Sequence, residues 1–259
     1  MGKFAEKLID AINVEPLSLG FCRSSVTASK PRMLLVLQST DEDIAAQVDL
    51  VKKADALLLS CNKAVTRKSI KAIEAMTSNI PMGLVVSNRN QRDVKALFDF
   101  LVISPADLLL AECNVSECGY VLSIPLDFPD SLARTVGDMP IESVFIDIEM
   151  GKSLNLETLM FMKRLSSNIS KPILLKVPVN IAESELALLW TAGVDAIVVQ
   201  PGLNGENGFA KLRTTLDGMC LQPKRKRLKP HALVPLVKQE RDEACCDDDD
   251  GCDDACDSA

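Results

Sequence analysis

The chain has 259 residues, of which 47% are hydrophobic and 25% charged, with 12 glycines and 13 prolines. This balance supplies enough apolar surface for a folded core, which excludes collagen-like, linker-like and predominantly disordered proteins. Aromatic residues make up only 4%, so an immunoglobulin-like sandwich or an aromatic platform for nucleic acid is disfavoured. The single histidine, His231, lies outside the predicted core, which disfavours histidine triads, histidine-ligated metal centres and histidine acid–base catalysis.

The N-terminal segment predicts a short amphipathic helix and not a secretion signal. Its sequence, MGKFAEKLIDAI, alternates charges and lacks an apolar stretch followed by a cleavage site. No uncharged apolar run in the chain approaches the roughly 18–20 residues needed to cross a bilayer. We therefore expect a cytoplasmic protein without membrane insertion. Its scattered cysteines are expected to be reduced and mostly buried, and they are Cys22, Cys61, Cys113, Cys118 and Cys220.

Eight short apolar runs recur at even spacing and predict parallel strands that are buried on both faces. They lie at 32–38, 56–60, 83–88, 100–104, 120–125, 143–149, 172–178 and 196–201. Between them, apolar residues three and four positions apart predict helices at 41–54, 66–79, 91–100, 155–169 and 181–193, with weaker patterns in 105–119 and 126–141. Eight such units predict a single (β/α)8 barrel over residues 1–221. A doubly wound sheet is less compatible, because no glycine-rich turn follows the first strand.

The C-terminal segment differs from the rest of the chain in its charge. Seven basic residues in 222–241 are followed by ten acidic residues in 240–259, which leaves 22 bases and 26 acids in residues 1–221. The predicted barrel therefore carries a net charge of −4 and no overall bias toward nucleic acid. Proline breaks and a like-charge block predict that 222–259 is a disordered tail, through which a protein partner could bind.

Four cysteines lie among the aspartates of this predicted tail. They are Cys245, Cys246, Cys252 and Cys256. Thiolates beside carboxylates could ligate a soft or borderline metal, although their spacing differs from the paired motif of a zinc ribbon. The alternative is a solvated, redox-sensitive acidic segment whose charge also allows pairing with the basic run before it.

Residues 171–202 carry a resemblance to a known family. Their sequence, KPILLKVPVNIAESELALLWTAGVDAIVVQPG, joins a lysine-containing strand, a helix and an Ala-Gly-Val-Asp-Ala strand. This segment, about an eighth of the chain, resembles the late barrel units of the aldolase-type (β/α)8 superfamily, and most of all the FMN-dependent dihydroorotate dehydrogenase branch. The resemblance implies FMN as the cofactor and Lys176 as a lysine directed at the flavin. Similar strands also occur in lyase, isomerase and decarboxylase barrels, so the reaction stays open.

Polar residues gather at the carboxyl ends of the predicted strands, where barrels of this kind bind their substrates. They are Gln38, Ser39, Ser60, Ser87, Asn88, Ser104, Ser123, Asp127, Asp147, Glu149, Lys176 and Gln200. Strand alternation places Asp147 and Glu149 on one side, and Lys176 ends the next strand, about 5 Å away by ordinary strand spacing. We predict that these three residues form a catalytic acid–lysine cluster. The alternatives are a structural ion pair and a hard divalent cation held by the two carboxylates.

Glycines surround the start of the last predicted helix. Gly202, Gly205 and Gly208 follow the eighth strand, and backbone N–H groups at such a helix start attract phosphate. Together with Gln200 they predict a cofactor-binding or phosphate-binding loop, with a flexible turn as the alternative. The sequence thus predicts a TIM-barrel enzyme, either a lyase or a flavin-type oxidoreductase, that acts on a small anionic metabolite. The rival hypothesis is a non-catalytic barrel that serves as a binding or scaffold subunit through its charged tail.

Overall fold

Eight parallel strands, each paired with the next in sequence and the last with the first, close into a barrel. The strands are β1 Leu34–Ser39, β2 Ala56–Ser60, β3 Met82–Val85, β4 Phe100–Ile103, β5 Gly119–Ile124, β6 Ser143–Ile146, β7 Ile173–Val177 and β8 Ala196–Val199. This computed structural model describes residues 2–12, 31–40, 43–44, 47–60, 73, 80–86, 97–107, 118–148, 154–202 and 205–222. All of them belong to one unit of the chain, Met1–Arg227. The predicted (β/α)8 barrel is confirmed.

The helices described around the barrel are α1 Lys3–Ile12, α2 Val48–Val51, α3 Asp130–Val136, α4 Leu156–Asn168, α5 Glu183–Ala192 and α6 Glu206–Gly218. α4 begins where the Asn155 side chain accepts the N–H of Thr158 at 2.9 Å. α5 ends as predicted at Gly193, which adopts a left-handed φ of 107° that favours glycine. The predicted helix 66–79 and the predicted tail lie almost entirely outside the described residues.

One predicted helix boundary is wrong. The pattern at 91–100 extended a helix through Phe100, but Phe100 begins β4, paired in parallel with Gly83 of β3. The physical reason is Asp99, whose carboxylate accepts the N–H of Met82 at 3.0 Å and fixes the start of the strand pair. The predicted helix overlapped at Phe100 with the predicted strand 100–104, and the structure assigns Phe100 to the strand.

The strands are buried on both sides, as their continuous apolar sequences predict. Inward-facing side chains such as Val36, Leu58 and Val198 form the barrel interior. Their outward-facing neighbours, among them Leu37 and Leu57, pack into a second, larger core beneath the helices. This two-layer burial explains why the strand sequences lack the polar alternation typical of a half-exposed sheet.

The N-terminal end of the barrel is closed by α1. The Phe4 ring stacks on Phe100 with centroids 4.2 Å apart, and Phe4 belongs to the interior cluster. At the edges of this contact, the N–H of Gly2 donates to Glu142 Oε1 at 2.7 Å, and Lys7 Nζ donates to the Asp55 carbonyl at 2.8 Å. Because this end is covered, ligands would reach the barrel interior from the carboxyl end of the strands.

Three carboxylates organise this closed end, of which Asp55 and Asp195 are buried and Asp99 is partly buried. Asp55, Asp99 and Asp195 each precede an even-numbered strand and accept a backbone N–H from the odd-numbered strand before it. The donors are Leu35 at 3.0 Å, Met82 at 3.0 Å and Ile173 at 2.8 Å. Asp55 also pairs with Arg213 of α6 at 2.7 Å. Burial acts to lower the pKa of Arg213, but the attraction of Asp55 and then of Asp217 outweighs it and raises the pKa.

Two further expectations concern cysteines and membranes. Cys118 is a buried thiol, as predicted, whereas Cys220 is exposed, because it follows the end of α6. The other three cysteines outside the tail lie beyond the described residues. Within the ranges that the structure describes, no helix has both the length and the apolar character needed to cross a membrane.

Candidate functional site

The strand register arranges the inward-facing side chains in layers. The stagger of the barrel can be followed from strand to strand through the paired residues. The path starts at Gln38 of β1, crosses to the paired residue of the next strand, moves one residue toward the carboxyl end and crosses again. After all eight strands it reaches β1 at Leu37, one residue before its start. The pairs on this path are Gln38–Leu58, Leu59–Leu84, Val85–Val102, Ile103–Leu122, Ser123–Phe145, Ile146–Leu175, Lys176–Val198 and Val199–Leu37. The stagger is therefore one residue per strand, as in other TIM barrels. At a given height along the barrel axis, the side chains that face inward come from every second strand.

The barrel interior changes from apolar to polar at the height of Gln38. The layer below this height is a wholly apolar floor and consists of Leu58, Val102, Phe145 and Val198. The layer at this height, which we call the Gln38 layer, consists of Gln38, Val85, Ser123 and Lys176. By strand alternation the layer above contains Ser60, Ser104, Asp147 and Gln200. The candidate site is the mouth formed by these two upper layers.

Lys176 and Asp147 meet at this mouth. Lys176 Nζ lies 3.1 Å from Asp147 Oδ1 and 3.3 Å from Oδ2. The lysine side chain is only 11% exposed, because it extends inward from β7 over the apolar floor, whereas the Asp147 side chain is 48% exposed. The pair therefore presents a covered ammonium group and a carboxylate that is open to solvent. The third member of the predicted cluster, Glu149, lies outside the described residues.

Gln38 is the most deeply buried polar residue of the mouth. It is 6% exposed, and among the residues that the structure describes its Oε1 atom is buried without a hydrogen-bond partner. The sequence placed Gln38 at a strand end but assigned no role to it. Its position two residues after Val36 indicated an inward side chain, but the unsatisfied oxygen depends on neighbours from other strands and could not be read from the sequence.

The glycines after β8 have packing roles. The N–H of Gly205 donates to the Gly202 carbonyl at 2.8 Å. A Cβ at Gly205 would lie 2.9 Å from Pro201, and a Cβ at Gly208 would lie 2.5 Å from Val179, whereas Gly202 faces open space. Close packing thus accounts for two of the three glycines.

The same loop also allows a test of the fit of FMN. Residues 200–208 contain no basic side chain, and Glu206 places a negative charge in the first turn of α6. A phosphate monoester needs positive charge or unopposed N–H donors at this point. The loop therefore does not fit the phosphate of FMN. Within the described ranges, no group of three or more metal-ligating side chains converges.

A groove opens on the outer side of the barrel, between the segments that follow β5 and β6 and the first turns of α4. Its volume is 1040 Å³, and its apolar walls include Leu126, Ile148 and Phe161. Leu156 and Met160 also line it, and their side chains on α4 are 70% and 64% exposed. Ile148 belongs to the core beneath the helices and faces away from Asp147 by strand alternation, so this groove lies outside the barrel mouth.

Comparisons with known proteins identify the fold. No protein-family model and no curated protein matches the chain. Among solved structures, a mutant tryptophan synthase alpha-subunit from the hyperthermophile Pyrococcus furiosus is similar with a TM-score of 0.58 and 14% sequence identity, over 74% of this chain and 100% of that one. Another mutant of that subunit gives a TM-score of 0.59 at the same identity and coverage. At 14% identity these similarities show a shared (β/α)8 fold.

Proposed function

We propose that this protein is a barrel enzyme of the lyase type that acts on a small anionic carbonyl metabolite at the mouth. The observation that carries the proposal is the Lys176 ammonium, which is 11% exposed, faces the barrel interior and lies 3.1 Å from Asp147. Burying a charge is costly, and an apolar side chain of similar volume would close this layer at least as well. A lysine retained at this position is therefore best explained by an interaction with a ligand.

The two side chains suit the cleavage of a carbon–carbon bond beside a carbonyl. Asp147 would remove the hydroxyl proton of the substrate, the resulting alkoxide would become a second carbonyl as the carbon–carbon bond breaks, and the electron pair of that bond would pass to the original carbonyl oxygen as an enolate. The Lys176 ammonium, whose three N–H donors would contact both the anionic group of the substrate and that oxygen, would stabilise the enolate, and the same proton would then return to the carbon. The Lys176 side chain already forms a salt bridge with Asp147, an arrangement that favours this electrostatic role over a Schiff base, in which the lysine attacks as a neutral amine.

The fold shared with tryptophan synthase alpha-subunits supports an aldolase-type barrel and specifies no substrate for this chain. The resemblance of 171–202 to the dihydroorotate dehydrogenase branch motivates a second candidate, a flavin oxidoreductase with Lys176 directed at the flavin. It has less support, because the loop after β8 does not fit an FMN phosphate. A cytoplasmic location and a protein partner bound through 222–259 remain predictions.

The proposal is tested by ligand-detected NMR and mass spectrometry with phosphorylated and carboxylated hydroxy-carbonyl compounds. We expect Lys176→Met to weaken binding at least about tenfold and to abolish cleavage, since it removes the charge that holds the anion. Lys53→Met is the matched control, because Lys53 is an exposed lysine at the opposite end of the barrel. Equal binding and cleavage by the wild type and Lys176→Met would refute the proposal.

Two further observations separate the mechanisms. If borohydride traps a carbonyl compound on Lys176, the lysine forms a Schiff base and does not act only through its charge. If a yellow flavin co-elutes with the protein, the oxidoreductase is favoured. If no anion binds and deletion of 222–259 removes a protein partner instead, the scaffold hypothesis is preferred.

A further inference from the structure

We infer that Gln38 recognises a hydroxyl or amino hydrogen of the ligand, so that the substrate is an anion carrying a hydrogen-bond donor. The inference rests on the proposed function, since it takes Lys176 as the group that binds the anionic part of the same molecule. It adds a specificity-determining residue and narrows the class of substrate.

Gln38 and Lys176 lie at the same height and face the same space. They belong to the Gln38 layer, on β1 and β7, and only β8 separates these strands. Two strand spacings place their Cα atoms roughly 10 Å apart. Both are long side chains directed toward the barrel axis, so a small molecule at the axis would contact both head groups. Its donor and its anionic group would then be only a few bonds apart.

The Oε1 atom of Gln38 is an acceptor to which none of the described residues donates a hydrogen bond. It is buried, in a residue that is 6% exposed, and no donor within the described part of the chain reaches it. A buried polar atom in this state destabilises the free protein, and such atoms are rare in native structures. Leucine or methionine would fill the same space without that penalty. A ligand hydroxyl or amine would satisfy the acceptor once the Gln38 amide turns to expose Oε1, and so would a buried water molecule, so the experiment must separate the two.

The remaining walls of the site restrict the ligand further. The apolar floor beneath Gln38 offers Phe145 and Val198 to a short carbon skeleton, and Val85 of the Gln38 layer is also apolar. Ser123 completes the layer with a hydroxyl group. The site thus combines one cation, one amide acceptor and the apolar floor. This combination suits a short hydroxy or amino acid anion, or a hydroxylated phosphate ester.

The test compares probes that share an anionic group but differ in a hydroxyl. Glycerol 3-phosphate is paired with propyl phosphate, and lactate with propionate, each titrated calorimetrically into wild type, Gln38→Met and Lys176→Met. Ser143→Ala is the matched control, because Ser143 Oγ is also buried with no partner among the described residues and lies in the barrel near its closed end. Thermal unfolding of every variant is measured alongside, and Gln38→Leu provides a second substitution.

We expect the wild type to bind at least one hydroxylated probe about tenfold or more tightly than its partner, because a site built for a hydroxyl discriminates against its absence. Gln38→Met should reduce that preference to about twofold or less, leave the affinity for the other probe unchanged, and unfold at the same or a higher temperature. Ser143→Ala should keep the preference.

Other outcomes would overturn the inference. A preference that is absent from the wild type, or that survives both Gln38 substitutions, would show that the acceptor serves only a structural role or a bound water. In that case, the anion site would still be supported if Lys176→Met no longer binds either probe of a pair. If none of the four probes binds the wild type, both the inference and the anion site of the proposed function fail.

Discussion

The Lys176–Asp147 ion pair can be tested as a functional or a structural feature by stability alone. We predict that Lys176→Met leaves the free energy of unfolding unchanged or raises it by about 1 kcal/mol, while it removes ligand binding. A structural ion pair would behave in the opposite way, because its loss would destabilise the barrel. The substitution therefore separates the two hypotheses without knowledge of the substrate.

The expected magnitude follows from the unequal exposure of the two side chains. Asp147 is 48% exposed, so its attraction to Lys176 at 3.1 Å is screened by water and contributes about 1 kcal/mol or less. Lys176 is 11% exposed, and covering an ammonium group to this extent costs more than that attraction returns. Methionine fills a similar volume over the apolar floor. Asp147→Asn, in contrast, removes this attraction from the covered ammonium and should destabilise by up to about 1 kcal/mol.

The assay is urea unfolding of wild type, both single variants and the double variant, followed by circular dichroism. We expect the double variant to have nearly the same free energy of unfolding as Lys176→Met, because without the lysine Asp147 is a solvated surface carboxylate. Lys52→Met serves as a control, since it removes an exposed lysine from an ion pair with Asp49. A loss of more than about 1 kcal/mol in Lys176→Met, recovered in the double variant, would refute the reasoning and establish a structural pair.

Three further predictions concern the closed end and the β8–α6 loop. Asp55→Asn should cost about 2–3 kcal/mol, since it removes the buried carboxylate that pairs with Arg213. Because the pKa of Arg213 is raised, the contribution of this pair should be present throughout pH 6–10 and be lost only as the pH rises through that pKa. Phe4→Ala should cost about 3–4 kcal/mol by opening a cavity beneath the barrel. Gly208→Ala should destabilise by about 1–3 kcal/mol, because its Cβ would lie 2.5 Å from Val179 Cγ1.

These predictions are checked by thermal and chemical unfolding, where 1 kcal/mol corresponds to a shift of about 2–4 °C in a domain of this size. For Asp55→Asn, a loss of stability that varies between pH 6 and pH 10 would contradict the assignment to the Arg213 pair. If Phe4→Ala has the same stability as the wild type, α1 does not close the barrel. If Gly208→Ala is as stable as the wild type but no longer binds phosphate, Gly208 has the predicted phosphate-binding role and not a packing role.

The sequence by itself determined the barrel and the end at which ligands enter. Eight apolar runs separated by helix-length connections specify parallel strands, because only strands covered on both faces can be apolar at consecutive positions. Since all parallel strands end at the same face, the polar residues that follow them had to meet there. Lys176 and Asp147 could thus be predicted together from strand order alone. The end of α5 at Gly193 was equally local, because a left-handed residue is encoded at one position.

The tertiary structure decided which side chains share a layer and how deeply each is buried. The stagger of one residue per strand places Gln38 with Lys176, and Asp147 one layer higher, a relation that depends on all eight strand pairs together. The burial of Gln38 Oε1, without a hydrogen-bond partner in the described part of the chain, likewise depends on neighbours that are distant in sequence. The role of Gly208 became apparent only from its contact with Val179 of another loop. Packing of this kind sums contributions from many segments, and no local pattern in the sequence records it.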